Sequence, residues 1–382
     1  MNNMKKILIA AASMLLPLSL IAQKPYQKTY SGTNQLSVEG QLNDEGHRTG
    51  TWTWWYPTGQ MSQQGSYVNG QKSGTWTLYY EDGSRMAEEC HATGVSRSWF
   101  HNGDLKSEVN VEKGKRNGLY RSWYDNGQVE EEITYVNGSR EGETFQWHRN
   151  GQMKFHGLYR SNELQGKATW WLANGKLDME GNLVDGEQDG EWRFYWRTNG
   201  RLGITGTYAR GKEIGHWIYY YETGEKWREG NYRAGKREGT WTTWYESGKK
   251  LHEGNYANDL EEGRWTSWYE DGKVDYYGDF SNGLKDGEWK GLYDDGSTRY
   301  IMHYDADVKE GEEVRYYPNG KVELRQHFSD GKLDGAYERY NEAGGLVEKG
   351  QFVDGEKEGK WVWYDSGKEA YRAKFKAGQQ VK

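Results

Sequence analysis

Residues 239–256 read GTWTTWYESGKKLHEGNY, and this stretch shows the pattern on which the chain is built. Gly239 is followed two, five and six residues later by the aromatics Trp241, Trp244 and Tyr245. Glycines in equivalent places recur along the chain, and eleven of the thirteen intervals between them are 24 residues long. They are Gly50, Gly74, Gly94, Gly118, Gly142, Gly166, Gly190, Gly215, Gly239, Gly263, Gly287, Gly311, Gly335 and Gly359. Such a period identifies a repeat array of fourteen units.

Two turns are predicted in each unit, whose positions we count from its glycine as zero. Positions eight and nine are often Asn-Gly or Asp-Gly, as in Asn126-Gly127, and a second such pair lies near position twenty, as in Asn137-Gly138. These dipeptides favour type I′ hairpin turns. The predicted fold class is therefore all-β, with tandem antiparallel β-hairpin repeats (about 14 units of 24 residues) forming an elongated twisted single sheet or a rolled solenoid.

The predicted turn also sets a strand register. A two-residue loop at positions eight and nine pairs position two with fifteen, zero with seventeen and five with twelve. Position two is tryptophan in eight units and position fifteen is often glycine, as in Trp52 and Gly65. We expect each ring to cover the glycine opposite it. The predicted core face then comprises positions two, six, eleven and seventeen.

Position five is aromatic in thirteen of the fourteen units, although strand alternation points it away from that core. One interpretation is a ladder of rings on which sugars or a partner chain could stack. The structural alternative is that these rings pack at unit junctions. The candidate ligand-contact ladder comprises Trp55, Trp99, Trp123, Trp147, Trp171, Tyr220, Trp244 and Trp268.

The first 22 residues have the pattern of a cleaved signal peptide: Lys5 and Lys6, the apolar run 7–20, and the small residue Ala22. Residues 23–46 are interpreted as an N-terminal lead with a partial repeat, and residues 47–382 as the array. The chain is predicted to be exported to the periplasm, the cell surface or the extracellular space. Its net charge of -7 argues against nucleic-acid binding and disfavours direct adhesion to an anionic membrane.

No motif in the sequence indicates chemistry. The nine histidines are scattered without metal-ligand spacing, and no nucleophile elbow or phosphate-binding loop occurs. The segment Asp305-Ala-Asp307 falls where other units place their second turn, so we interpret it as a turn rather than a calcium loop. We therefore predict a protein that is not an enzyme, with no catalytic residue, metal or cofactor.

The units resemble MORN repeats, most closely the bacterial variant with the pattern Gly-x-Trp-x-x-Tyr-Tyr-x-Asn-Gly. Residues 74–83 show it as GTWTLYYEDG. Some members of that family are described as antitoxin components. The resemblance covers residues ~40–382 through its number of copies, and it implies an extended sheet of hairpins that serves as a protein-binding scaffold. The units are also similar, less closely, to choline- and glucan-binding repeats.

Two functions follow from these expectations. The first is an exported, non-enzymatic scaffold that mediates protein–protein interaction at the bacterial cell envelope, with an envelope protein as partner. The alternative is polysaccharide or cell-wall binding through the aromatic ladder.

Overall fold

The computed structural model describes residues 23–382, which contain 32 strands and no helix. The predicted signal peptide, residues 1–22, lies outside the described residues. Within residues 23–382 no helix is long and apolar enough to cross a membrane. The chain divides into two compact units, one ending at Gly151 and the other running from Gln152 to Lys382.

In the first unit, consecutive strands from β1 to β11 pair antiparallel. The strands are β1 (Lys24–Thr29), β2 (Leu36–Leu42), β3 (Arg48–Trp55), β4 (Met61–Val68), β5 (Gln71–Tyr79), β6 (Arg85–Cys90), β7 (Gly94–Trp99), β8 (Leu105–Glu112), β9 (Lys115–Trp123), β10 (Val129–Val136) and β11 (Ser139–Trp147).

In the second unit the same antiparallel hairpins continue, and the short β25 and the following β26 both pair with β24. The strands are β12 (Met153–Arg160), β13 (Glu163–Trp171), β14 (Leu177–Val184), β15 (Glu187–Tyr195), β16 (Leu202–Ala209), β17 (Lys212–Tyr220), β18 (Lys226–Arg233), β19 (Lys236–Trp244), β20 (Lys250–Ala257), β21 (Leu260–Trp268), β22 (Val274–Ser281), β23 (Leu284–Leu292), β24 (Thr298–Asp305), β25 (Val308–Lys309), β26 (Gly311–Tyr316), β27 (Val322–Ser329), β28 (Lys332–Tyr340), β29 (Leu346–Val353), β30 (Glu356–Asp365), β31 (Lys368–Lys376) and β32 (Gln379–Val381). The predicted all-β class of tandem antiparallel hairpins is confirmed.

In most units the first turn differs from the predicted type I′ turn, although Ser366 and Gly367 of the last unit, with φ 49° and 78°, do form one. In the unit of Gly239, the N–H of Gly248 donates to the carbonyl of Tyr245 at 2.9 Å, and the N–H of Tyr245 donates to the carbonyl of Lys249 at 2.8 Å. Gly248 has φ 81°, whereas position eight does not have a positive φ. This is a type I turn followed by a bulged glycine. The bulge pairs Trp244 with Lys250, so position five faces position eleven rather than twelve.

Asn or Asp at position eight therefore has a different purpose from the one that the sequence suggested. Its side chain accepts a hydrogen bond from the N–H two residues later, as Asp271 does from Lys273 at 2.9 Å. The second turn is the type I′ turn that was predicted, since Asn137 and Gly138 have φ 53° and 92°. Ala306 and Asp307, with φ 46° and 69°, also form a second turn.

The glycine at position zero creates a larger irregularity between neighbouring units. Gly239 has φ 70°, a conformation that glycine adopts without steric cost. Where the Gly239 strand pairs with the preceding strand, the single residue Gly230 lies opposite three residues of the Gly239 strand, which is a large bulge in the pairing. This shift carries Trp241 across the sheet surface, and its Nε1–H donates to the carbonyl of Asn231 at 3.2 Å.

Each core tryptophan consequently covers a glycine of the preceding unit. Trp241 pairs with Gly254 in the register that was predicted, but its ring lies over Gly230 instead. A methyl group on Gly230 would overlap that ring. The expectation that the ring covers its cross-strand partner is therefore wrong. The glycines covered by tryptophan rings are Gly40, Gly65, Gly181, Gly206, Gly230, Gly254, Gly278 and Gly350.

The core runs along this face at positions two, four and seventeen. Seven of the eight tryptophans at position two are at most 5% exposed. Tyr232, at position seventeen, meets Trp241 edge-on with ring centroids 5.1 Å apart. Trp54, at position four, lies 5.7 Å from Trp52 and 5.3 Å from Trp76. In the described residues no side chain at position six or eleven is among the fully buried ones, so that part of the predicted core is wrong.

Position six instead joins consecutive units. The hydroxyl of Tyr245 donates to the backbone carbonyl of Trp268, the position-five residue of the next unit, at 2.9 Å. Because the tyrosine belongs to a turn and its acceptor to a neighbouring strand, each bond holds two hairpins together. The tyrosines that make this bond are Tyr30, Tyr56, Tyr80, Tyr124, Tyr221, Tyr245, Tyr269, Tyr293 and Tyr317.

Candidate contact surfaces

The predicted ladder lies on the face opposite the tryptophan core. At position five, Tyr195 donates its hydroxyl to Glu180, which is at position fourteen of the preceding repeat, at 2.9 Å. Burial, followed by this hydrogen bond, raises the pKa of Tyr195 to about 12. All eight ladder residues are half-buried. Four of them belong to the first compact unit and four to the second.

Side chains of neighbouring repeats cover part of each of several ladder rings. Lys226 lies 5.2 Å from the centroid of Trp244, and Lys250 lies 5.6 Å from that of Trp268. Arg85 contacts Trp99 in the same way at 5.2 Å. These cations are at position eleven of the preceding repeat. The ladder rings are thus partly packed, as the structural alternative requires, and partly accessible, as stacking of a ligand requires.

A second surface was not predicted from the sequence. Leu260, Leu284 and Val308 occupy position twenty-one in three consecutive repeats and are 46%, 41% and 43% exposed. We call these three residues the apolar row. Comparison of the units could have revealed it, because other units have polar residues there. Those are Gln71, Lys115, Ser139, Glu163, Glu187, Lys212, Lys236, Lys332 and Glu356.

One unit has a buried charge where eight others have tryptophan. Glu313, at position two, is 1% exposed and contacts Lys309 at 3.0 Å, Arg315 at 2.6 Å and Gln326 at 3.0 Å. Met302 occupies the place of the glycine that a ring would cover. Burial opposes ionisation of Glu313, but its three hydrogen bonds outweigh burial and lower the pKa below the ordinary value.

Groups that could support chemistry are sparse. Among residues 23–382, no cluster of three or more His, Cys, Asp or Glu side chains could hold a metal ion. Cys90, the single cysteine, is buried in a small cluster with Val109 and Val111. A lone buried thiol of this kind behaves as a packing residue.

Comparison with solved structures gives no further information on the fold. The chain is 10% identical to "Crystal Structure of TcdB2-TccC3-Cdc42" with a TM-score of 0.13, where the match covers 90% of this chain and 25% of that one. It is 11% identical to "Crystal structure of the eukaryotic initiation factor" with a TM-score of 0.16, covering 94% and 97%. The chain therefore spans about a quarter of the first structure, and TM-scores this low support no argument. No curated protein matches the sequence.

The repeats themselves match a family model, the MORN repeat variant. The matched residues are 48–69, 116–137, 140–161, 213–234, 237–258, 261–282 and 309–330. Each match covers the two strands and the first turn of one hairpin, the element that carries the core tryptophan position and the linking aromatic. The spacing of the matches follows the 24-residue period of the array. We conclude that seven of the repeats of this chain are repeats of the MORN variant family.

Proposed function

We propose that the chain is an exported scaffold that binds a protein of the bacterial cell envelope through the apolar row. MORN repeats are commonly scaffolds for interaction with proteins or membranes, and the family is non-catalytic. The observation that carries the proposal is the run of three exposed apolar side chains in consecutive repeats, Leu260, Leu284 and Val308. Exposed apolar residues that are grouped in this way typically mark interaction sites.

The arrangement of the row supports this assignment. Consecutive repeats are two strands apart, so neighbouring members of the row are separated by about 9–10 Å. A Cδ of Leu260 approaches Gly283 of the next repeat, at 3.3 Å from the place where a Cβ would be. A partner could therefore contact a continuous apolar strip flanked by charged residues such as Lys236 and Lys332.

The signal-like segment supports the proposed export and envelope location, and export has its own test. We expect the mature chain to begin at Gln23, because Ala22 ends the signal-like segment. Mass spectrometry of the N-terminal peptide from a bacterium that expresses the full chain checks this. A variant with Leu15→Asp and Leu16→Asp should keep the precursor in the cytoplasm. An uncleaved wild-type chain in the cytoplasm would contradict the export proposal.

Site-specific photo-crosslinking in intact cells tests the binding surface. A benzoylphenylalanine at position 284 should give a discrete adduct with an envelope protein, whereas the same group at position 212 should not. The charged variant Leu260→Lys, Val308→Lys, which keeps the crosslinker at position 284, should abolish the adduct while leaving the circular dichroism spectrum unchanged, because both replaced side chains are exposed. An identical adduct from both sites, or one that survives the charged variant, would exclude the row as the contact.

The alternative, polysaccharide binding along the ladder, is supported by the half-buried rings at position five. It predicts that changing Trp99 and Trp123 to alanine abolishes glycan binding without unfolding the sheet. A chain that unfolds instead would mark the ladder as structural.

A further inference from the structure

Three consecutive units, which begin at Gly239, Gly263 and Gly287, lack the large side chain that covers the tryptophan face in units such as that of Gly50. Position four is Thr243, Ser267 and Gly291 in these units. In the preceding unit the same position holds Tyr219, whose ring lies 6.3 Å from the core tryptophans on either side of it. A ring at position four thus bridges two position-two tryptophans, and the small residues leave these bridges out.

The missing bridges open a groove on the core face. Trp265 is only partly buried, whereas the other seven tryptophans at position two are at most 5% exposed. The groove beside it has a volume of about 400 Å³, and its walls are formed by Trp265, Trp289, Tyr276 and Tyr300. This volume lies within the range of about 300–1,000 Å³ that is typical of small-ligand sites.

Tyr276 and Tyr300 belong to this site because of the same small residues. They pair across the hairpin with Ser267 and Gly291. The ring of Tyr300 lies over Gly291, which has no side chain to exclude it. The ring of Tyr276 stacks on Trp289 at 6.0 Å with an interplanar angle of 29°. The aromatic walls are therefore held in place by packing.

Polar groups lie among the aromatic walls. Glu261, Lys285 and His252 contribute one carboxylate, one ammonium and one imidazole to the lining. The ammonium of Lys285 is held 4.7 Å from the Trp289 ring. Burial lowers the pKa of His252, and the charge of Asp275 only partly opposes this. The imidazole is thus neutral at pH 7, and the formal charges of the lining cancel.

We propose that this groove binds a neutral sugar ring of a glycan. A sugar ring presents C–H groups that can lie on an aromatic wall, and hydroxyls at its edge that both donate and accept hydrogen bonds. Glu261 can accept such bonds, Lys285 can donate them, and the neutral His252 can do both. A balanced lining favours a neutral ligand over an organic cation or an anion. The site lies on the face opposite the position-five ladder.

Saturation-transfer NMR on the full mature chain tests the proposal with three neutral disaccharides: cellobiose, maltose and diacetylchitobiose. We expect at least one of them to receive saturation, most strongly at the ring protons of one face. Tetramethylammonium and the amide of phenylalanine serve as competitors. We expect that neither competitor displaces the sugar. If a competitor binds and none of the sugars does, the proposal is overturned.

Thr243→Trp is the decisive variant, since it restores the ring that the Gly50 unit has as Trp54. The new ring should cover Trp265 as Trp54 covers Trp76, keep the fold, and weaken sugar binding at least tenfold. Thr240→Trp is the matched control, because it adds the same ring at an exposed site three residues away and should leave binding unchanged. No sugar signal at 10 mM ligand, or equal binding by the Thr243→Trp variant, would refute the site.

Discussion

At the scale of single residues, the array depends on a glycine and a tryptophan that are eleven residues apart, such as Gly65 and Trp76. The pair combines close approach of a ring to bare backbone with a hydrogen bond from the indole N–H to the carbonyl of Ser66 at 3.1 Å. The sequence allowed the glycine and the tryptophan to be recognised as partners. It did not indicate which glycine each ring covers, because that depends on the bulge created by the positive φ at Gly74.

Gly65→Ala tests this contact. The added methyl group overlaps the Trp76 ring, so we expect a loss of about 1–3 kcal/mol in the free energy of unfolding, measured by denaturant titration. Trp76→Ala alone should cost about 3–5 kcal/mol. Because the single changes act on one contact, the double variant should be less destabilised than their sum. Strict additivity would show that ring and glycine do not interact.

Glu313 gives a prediction on pH. Its pKa is lowered in the folded chain, so its contribution to stability is complete above its unfolded-state value of about 4.5 and is lost as the pH falls through the lower folded-state value. Glu313→Gln should therefore lower the melting temperature at pH 7, and the difference from wild type should shrink towards pH 3. Melting curves between these pH values check it. A constant difference across the range would contradict the role assigned to the carboxylate.

At the scale of the hairpin, the two turns of one unit use the same dipeptides in different geometries. Asn126-Gly127 forms part of a type I turn with a bulged glycine, whereas Asn137-Gly138 forms a type I′ turn. The strands and their approximate ends could be predicted from the sequence, because Asn-Gly marks either turn. The bulge could not, since nothing local distinguishes the two dipeptides. It moved the partner of position five from twelve to eleven and placed cations such as Lys250 beside the ladder.

The contribution of the tyrosine hydrogen bond between hairpins to stability can be measured by removing the hydroxyl in one unit and by adding it in another. Tyr245→Phe removes the hydroxyl that donates a hydrogen bond to the backbone carbonyl of Trp268. We expect a loss of about 0.5–1.5 kcal/mol in stability. Phe100 occupies the same position in a unit that naturally lacks the hydroxyl. Phe100→Tyr should stabilise the chain by a similar amount. If the added hydroxyl has no effect, or destabilises the chain, position six does not act as a link.

At the scale of the whole molecule, the repeat makes stability a sum of hairpins and of contacts between neighbours. The sequence predicted this organisation, because the period is visible without any structure. The candidate surfaces were harder to predict. The position-five rings were evident as a pattern, but the apolar row and the groove arise where single units depart from that pattern, at Leu284 and Ser267 for example. A search for recurring residues passes over such departures.

Removal of one complete unit tests the additive organisation. Deletion of residues 239–262 joins Glu238 to Gly263 and lets Trp265 cover Gly230 in place of Trp241. We expect a folded chain with the same β spectrum and a melting temperature within a few degrees of wild type. Deletion of residues 239–250 removes half a unit and should unfold the neighbouring hairpins. The strand that follows would then present its core side chains on the wrong face of the sheet. Equal tolerance of both deletions would argue against a repeat-based core.

The direction in which each tryptophan reaches has a consequence for folding while the chain is being synthesised. Because Trp76 belongs to the unit after Gly65, a newly synthesised hairpin stays uncovered until the chain has grown by eleven residues. At about 5–20 residues per second, this lasts roughly 0.5–2 s for each hairpin whose glycine a tryptophan ring covers. At each such hairpin the growing end therefore presents one bare strip of backbone, to which the next hairpin, or a chaperone, can bind.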